Sequence, residues 1–231
     1  MANGNSRTVE SDQLGVHQNL EKLVSRHIKS PSQKPYNEHT LEAFSQAQQW
    51  LNGWQGPLIM DSCCGVGEST ALIAKQHPQA RVLGIDKSAL RTNKHQHYAT
   101  AAENYLVLRA DLNDFWRLAL QSGWSLEKHY LLYPNPYPKA SQLQRRWHAS
   151  AALPSIVALG GLLEVRSNWK TYIEEFSQAL KLSDLDCAVE DYHSEKPMTP
   201  FERKYWQSGQ SSWALRVDLS DLPKTQVGDA D

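Results

Sequence analysis

Four polar residues, Asp61, Asp86, Asp111 and Asn135, follow one another at intervals of 25, 25 and 24 positions. Each closes a short apolar run: Pro57–Met60, Arg81–Ile85, Tyr105–Leu108 and His129–Tyr133. A segment able to form a helix follows each run. This repetition predicts strand–helix units, which assemble a mainly parallel sheet with helices on both faces. In such a sheet the carboxyl-terminal strand ends share one rim. Polar side chains at successive tips therefore converge on one crevice, where open α/β sheets bind ligands. The fourth tip, Tyr133-Pro-Asn-Pro-Tyr-Pro-Lys139, is too rich in proline for an ordinary turn.

The alternating core is expected from about Pro57 to Leu182, with a fifth strand over Gly161–Arg166 and a helix over Trp169–Leu182. Asp186–Tyr192 and Ser212–Asp218 read as strands of a closing antiparallel hairpin. Upstream, Leu20, Leu23, Val24, His27 and Ile28 form one helical stripe, and Leu41, Phe44, Ala47 and Leu51 a second. Ser30–Pro35 separates them as a linker or substrate-facing loop, and the polar residues 1–12 are expected to be loosely attached. The resulting division is an N-terminal helical extension over 1–55, an α/β domain over 56–220 and an acidic tail over 221–231.

At 231 residues the chain is long enough for one sizeable core. Its net charge of −1 is not that of a strongly basic nucleic-acid binder. The average hides a split. Asp218–Asp231 carries four Asp against one Lys, whereas Lys139–Lys170 holds Lys139, Arg145, Arg146, Arg166 and Lys170 against the single acid Glu164. Met1–Ser6 lacks the apolar stretch of a secretory signal, and the apolar run Leu153–Leu163 is too short to cross a bilayer. Cys63, Cys64 and Cys187 suggest no disulfide framework, which fits a reducing cytoplasm. Cys63 and Cys64 read as loop-packing residues, and His95 and His97 as solvent-facing, with no partner cysteine pair to suggest a metal.

Asp61-Ser-Cys-Cys-Gly-Val-Gly67 links the first core strand to a helix beginning near Glu68. Glycines there let backbone amides approach a ligand, and a helix amino terminus favours its negative groups. Gly65-x-Gly67-x-x-Thr70 misses the third glycine of the dinucleotide fingerprint, which disfavours a nicotinamide enzyme. A carboxylate at the second tip, Asp86, can accept both ribose hydroxyls of an adenosine. Asp111 could accept from the adenine amine. Each Asp could instead cap a helix; three in register make a ligand the better account.

Together, Asp61–Gly67, Gly84-Ile-Asp86 and Ala110-Asp111 resemble the Rossmann-like S-adenosylmethionine-dependent methyltransferases. Their Asp-x-Gly-x-Gly-x-Gly loop is matched except that Cys63 takes the first glycine position, a departure that is tolerable unless the position needs a positive φ. Pro134-Asn-Pro-Tyr-Pro-Lys139 with Arg145-Arg146, Gly160–Trp169, and Thr199-Pro-Phe-Glu202 are similar to motifs of the bacterial tRNA (guanine-N7)-methyltransferases. The resemblance spans roughly Pro57–Val217. It implies S-adenosylmethionine as methyl donor, held by Asp61, Cys64, Gly65, Gly67, Asp86, Lys87, Asp111 and Asn135. It implies a tRNA substrate met by Tyr137, Lys139, Arg145, Arg146, Asn168, Thr199, Phe201 and Glu202, with Asn135 as the catalytic position that orients donor or base. Glu202 would accept from guanine, and Arg145 and Arg146 would hold phosphates.

Asn replaces the family's Asp at 135 and 168, and Tyr137 replaces its Trp. An amide donates as well as accepts, so the base is expected to be read differently. Two rival readings remain. One is an exocyclic-amine methyltransferase, because Asn135-Pro-Tyr137-Pro138 shares the ingredients of Asn-Pro-Pro-Tyr loops. The other is a non-catalytic relic that binds RNA or a partner. No metal and no membrane are expected, and a monomer or weak dimer.

Overall fold

Four central strands are buried along almost their whole length on both faces, as the continuous apolar runs of parallel sheets require. The computed structural model describes residues 5–30 and 32–220. After α1 (Leu20–Lys29) and α2 (Glu38–Leu51), β1 (Leu58–Ser62) leads into α3 (Glu68–Gln76). β2 (Arg81–Asp86) leads into the single turn α4 (Ala89–Thr92), and β3 (Tyr105–Arg109) into α5 (Leu112–Gln121). There follow β4 (Lys128–Leu132), α6 (Leu153–Ala158), β5 (Leu162–Ser167) and α7 (Lys170–Lys181). The last elements are β6 (Glu190–Tyr192), α8 (Pro200–Gln207) and β7 (Ser212–Asp218).

The strands lie in the order β3-β2-β1-β4-β5-β7-β6. The first five are parallel, and β7 runs antiparallel to both β5 and β6. The expected fold class therefore stands, closing antiparallel pair included. The order reverses between β1 and β4, and such a switch point opens a crevice outside the strand ends. One face packs Met60, Leu83, Leu131 and Val165 against Val24, Phe44, Phe115 and Phe176 from helices α1, α2, α5 and α7. The other packs Ile59, Val82 and Leu132 against Ile73 and Ala74 of α3, with Tyr205 of α8 beside them. The two leading helices thus bury into the same core as the sheet.

Two expectations need correction. The strand expected over Asp186–Tyr192 is only Glu190–Tyr192; ahead of it, Ser177 Oγ donates to the Cys187 carbonyl at 2.8 Å and ties the chain to α7 instead. Residues 6–13 are not loosely attached. Ser11 Oγ donates to the Pro138 carbonyl at 2.7 Å, Asp12 accepts from Ala140 N–H at 2.7 Å, and Gln210 Nε2 donates to the carbonyls of Ser6 and Arg7. The acidic tail over 221–231 lies outside the described residues. No described helix is long and apolar enough to cross a membrane.

Candidate active site

The loop after β1 turns through three left-handed residues, Cys63 (φ 64°), Gly65 (φ 61°) and Gly67 (φ 74°). A Cβ at Gly67 would meet His95 Nδ1 at 2.5 Å and Val107 Cγ2 at 2.9 Å, so only glycine fits. A Cβ at Gly65 would meet nothing within 4 Å, so this backbone borders open space. Cys63 corrects an assumption: the first glycine position does take a positive φ, which costs an L-residue roughly 1–2 kcal/mol. His95 is likewise not solvent-facing. Its Nδ1 lies 3.0 Å from the Val66 carbonyl and its Nε2 3.2 Å from Tyr105 Oη, so it props the loop from outside. Burial pushes the Cys63 thiol up to about 12 and raises Cys64 as well, which leaves no nucleophilic thiolate here.

Asp61 lies wholly buried beneath this loop. Its Oδ2 accepts from Ser69 Oγ (2.6 Å) and Thr70 Oγ1 (2.7 Å), which explains a threonine where a dinucleotide site would have glycine. Its Oδ1 has no partner, and burial pushes the carboxyl up to about 6 against the lowering effect of the two hydroxyls. At the β2 tip, Asp86 Oδ2 accepts from Gly65 N–H (3.0 Å) and Oδ1 from Ser88 N–H (2.8 Å), so this carboxylate fixes the loop. Each oxygen keeps a second lone pair. Asp111 caps α5 by accepting from Asn113 N–H at 2.9 Å, so capping and crevice lining coincide in one residue.

The switch point holds a crevice of about 990 Å³. Of the expected residues, Asp86, Lys87, Asp111, Asn135, Tyr137, Arg145 and Phe201 line it. Cys64, Gly65 and Thr199 line an adjoining recess of about 110 Å³, which shares Cys63, Arg91 and Phe201 with the larger space. Sequence reasoning missed His27, Arg91 and Trp147 in the lining and covered Lys34 only within the Ser30–Pro35 segment expected as a linker or substrate-facing loop. His27 sat in the α1 stripe as a core position, and Trp147 also packs on Trp116, with centroids 4.9 Å apart. Among the described residues no group of three His, Cys, Asp or Glu could hold a metal ion.

The proline-rich turn is bracketed by two left-handed residues, Tyr133 (φ 52°) and Tyr137 (φ 45°). Asn135 stands exposed on it, its Oδ1 accepting from Tyr137 N–H at 3.3 Å. That bond leaves Nδ2 free as a donor and one lone pair on Oδ1. The Arg145 guanidinium is exposed, 5.9 Å from the Tyr137 ring centroid. Lys139 is exposed beside the turn but is not part of the crevice lining.

Three expected substrate contacts are placed differently. Arg146 is fully buried, paired with Glu175 at 2.5 Å and stacked 4.8 Å from the Trp169 ring centroid, so it does not face a phosphate. Glu202 is fully buried too: it accepts from Tyr133 Oη (2.9 Å), Arg166 Nη1 (3.1 Å) and Met198 N–H (2.5 Å), and its own N–H donates to Thr199 Oγ1. It stands outside the crevice lining. Asn168 donates Nδ2 to Gln210 Oε1 at 2.9 Å and stands outside the crevice lining.

Residues 55–215 match the family model described as "Putative methyltransferase". The chain is 27% identical over 166 residues to the tRNA (guanine-N(7)-)-methyltransferase of Nitrosospira multiformis, covering 68% of this chain and 72% of that one. It is 26% identical over 190 residues to the enzyme of that name from Nitrosomonas eutropha, covering 76% and 80%. Among solved structures, the 16S rRNA methyltransferase KamB superposes with a TM-score of 0.57 at 17% identity, over 81% of this chain and 95% of that one. A 16S rRNA adenine-N1 methyltransferase from Catenulisporales acidiphilia, solved with its cosubstrate SAM, gives 0.52 at 13% identity, over 82% and 93%. At these identities the structures share the fold.

Proposed function

Because the chain belongs to the methyltransferase family matched over residues 55–215, we propose that it transfers a methyl group from S-adenosylmethionine to the N7 of a guanine in tRNA. The residues present fit the donor. Gly65 borders open space, Asp61 keeps one buried oxygen unpartnered, and Asp86 and Asp111 face the crevice with lone pairs to spare. Asp86 would take the ribose hydroxyls and Asp111 the adenine amine. The loop at Cys64, Gly65 and Gly67, with Lys87 at the rim, would border the amino-acid end by shape; its N–H groups are spent within the fold on the Ile85 carbonyl, Asp86 and the Cys64 carbonyl. When bound, S-adenosylmethionine supplies an electrophilic methyl group on a positively charged sulfur.

The observation that carries the acceptor side is Asn135. Its oxygen accepts from Tyr137 N–H, and Nδ2 is left free to donate into the crevice that Asn135 lines. The exposed edge of guanine offers two acceptors, O6 and N7. A hydrogen bond from Asn135 Nδ2 to O6 would orient the base and leave the N7 lone pair free. That nitrogen carries no proton to remove, so no general base is required. The chain's own contribution is alignment and exclusion of water. Tyr137 and Trp147 offer ring faces for stacking, and Arg145 and Lys139 would hold phosphates that position the RNA without reading sequence.

An exocyclic amine would need acceptors at this point; Asn135 Oδ1 takes one hydrogen bond and keeps one lone pair, so the identity of the methylated nucleoside separates the two readings. The three free cysteines and a tRNA substrate together favour the cytoplasm. The test is calorimetric titration with S-adenosylhomocysteine, then transfer of labelled methyl to bulk tRNA and digestion to nucleosides. Label in 7-methylguanosine supports the reading; label in an N2- or N6-methylated nucleoside contradicts it.

A further inference from the structure

The acceptor turn is held from behind by a buried polar cluster that joins it to both the N-terminal segment and α7. Arg146 spends its guanidinium on five short contacts: Nε to the Tyr137 carbonyl (3.1 Å), Nη2 to the Lys139 carbonyl (3.2 Å), Nη1 to Glu175 Oε2 (2.5 Å), and both terminal nitrogens to Gln13 Oε1 (3.2 Å each). Glu175 is as completely enclosed. It accepts from Arg146, from His148 Nε2 (2.9 Å), from Gln13 Nε2 (2.5 Å) and from the His17 N–H (3.0 Å). Gln13 is the hinge of the arrangement, since its amide oxygen serves Arg146 and its amide nitrogen serves Glu175. Ser11 and Asp12, immediately before it, bond the Pro138 carbonyl and the Ala140 N–H.

The geometry points to Arg146, Glu175 and Gln13 as positioning residues that set the methyl-acceptor turn, with residues 11–13 as a built-in part of the active site. This inference rests on the reading of Tyr133–Lys139 as the acceptor turn. A stretch with left-handed residues at positions 133 and 137 does not keep its shape unaided. Clamping the carbonyls at 137, 138 and 139 from one side fixes where Asn135 and Tyr137 point. A buried guanidinium must satisfy five donors, and two of them here are met by carbonyls of the turn itself, so the position of Arg146 and that of the turn are tied together. Lysine could keep the charge pairing with Glu175 but cannot reproduce the fork.

The test uses the full chain with Gln13→Ala and Arg146→Lys, and Ser208→Ala as the control, because the Ser208 hydroxyl at the end of α8 accepts from Ser6 N–H at 3.0 Å and so ties down the other end of the N-terminal segment. Amide hydrogen exchange across 133–140 is measured together with S-adenosylhomocysteine affinity and steady-state methyl transfer to tRNA. Both clasp variants should exchange several-fold faster in that stretch, keep donor Kd within twofold, and lose about tenfold in kcat, equivalent to 1.4 kcal/mol. The control should change none of these. Unaltered exchange across 133–140 in both clasp variants would overturn the inference, as would a loss of donor affinity equal to the loss of turnover. The exchange readout needs no substrate, so it decides the clasp separately from whether tRNA is the acceptor.

Discussion

Replacing Glu175 by glutamine keeps the shape of the side chain and removes its charge from a site with no exposure. Arg146 then remains buried without its counter-ion. Breaking a buried pair from one side costs about 3–5 kcal/mol. Burial pushes His148 toward its neutral form against the pull of Glu175, so the cluster balances one guanidinium against one carboxylate. The new amide also turns an N–H toward Arg146 or Gln13, where a carboxylate accepts from both. At about 2–4 °C per kcal/mol for a chain of this size, Glu175→Gln should melt about 10 °C lower at pH 7. The pH dependence has a fixed sign. The His148 hydrogen bond and Arg146 hold the Glu175 carboxyl at about 2 rather than its ordinary 4.5, outweighing desolvation. Its stabilisation is therefore complete above pH 4.5 and is lost as pH falls toward 2. Scanning calorimetry should show the gap between wild type and variant closing over that interval. A melting difference under about 2 °C at pH 7, or a gap that widens on acidification, would refute the charge account.

Gly67→Ala should lower both stability and donor affinity, because its Cβ would lie 2.5 Å from a His95 ring that the Val66 carbonyl and Tyr105 hold in place; calorimetric titration with S-adenosylhomocysteine checks it. Asn135→Ala should leave the melting temperature within about 1 °C, since the side chain is exposed, and slow transfer about a hundredfold, the usual loss for one preorganised donor. Wild-type turnover by that variant would remove Asn135 from the mechanism. Arg145→Ala should weaken tRNA binding evenly and reduce the slope of log K against log salt by about one, measured by filter binding at several salt concentrations.

How much of this was legible in sequence depends on range. The 25-residue rhythm located β1 to β4, most plainly β1, β2 and β4, because runs buried on both faces carry their own apolar signal, and β7 matches its expected Ser212–Asp218 span. Asp86, Asp111 and Asn135 share the crevice because parallel strands end on one rim. Arg145 and Arg146 were not separable by composition: neighbours in one tight turn, they face opposite ways. What buries the second is Glu175, 29 positions on, and Gln13, 133 positions back, a pairing no local pattern announces. Glu202 likewise reads as a substrate group until Arg166 and Tyr133 are seen to enclose it. The attachment of residues 6–13 escaped notice because it uses single polar side chains and backbone groups rather than a hydrophobic stripe.

The central claim is that the chain methylates guanine N7 in tRNA through a donor crevice and an adjoining Asn135 turn. Mass spectrometry of nucleosides from the tRNA of cells lacking this protein tests it most directly. The account predicts that 7-methylguanosine falls and returns when the wild-type chain is supplied, but not when Asn135→Ala is supplied. Unchanged 7-methylguanosine, or the loss of a different methylated nucleoside, would contradict it.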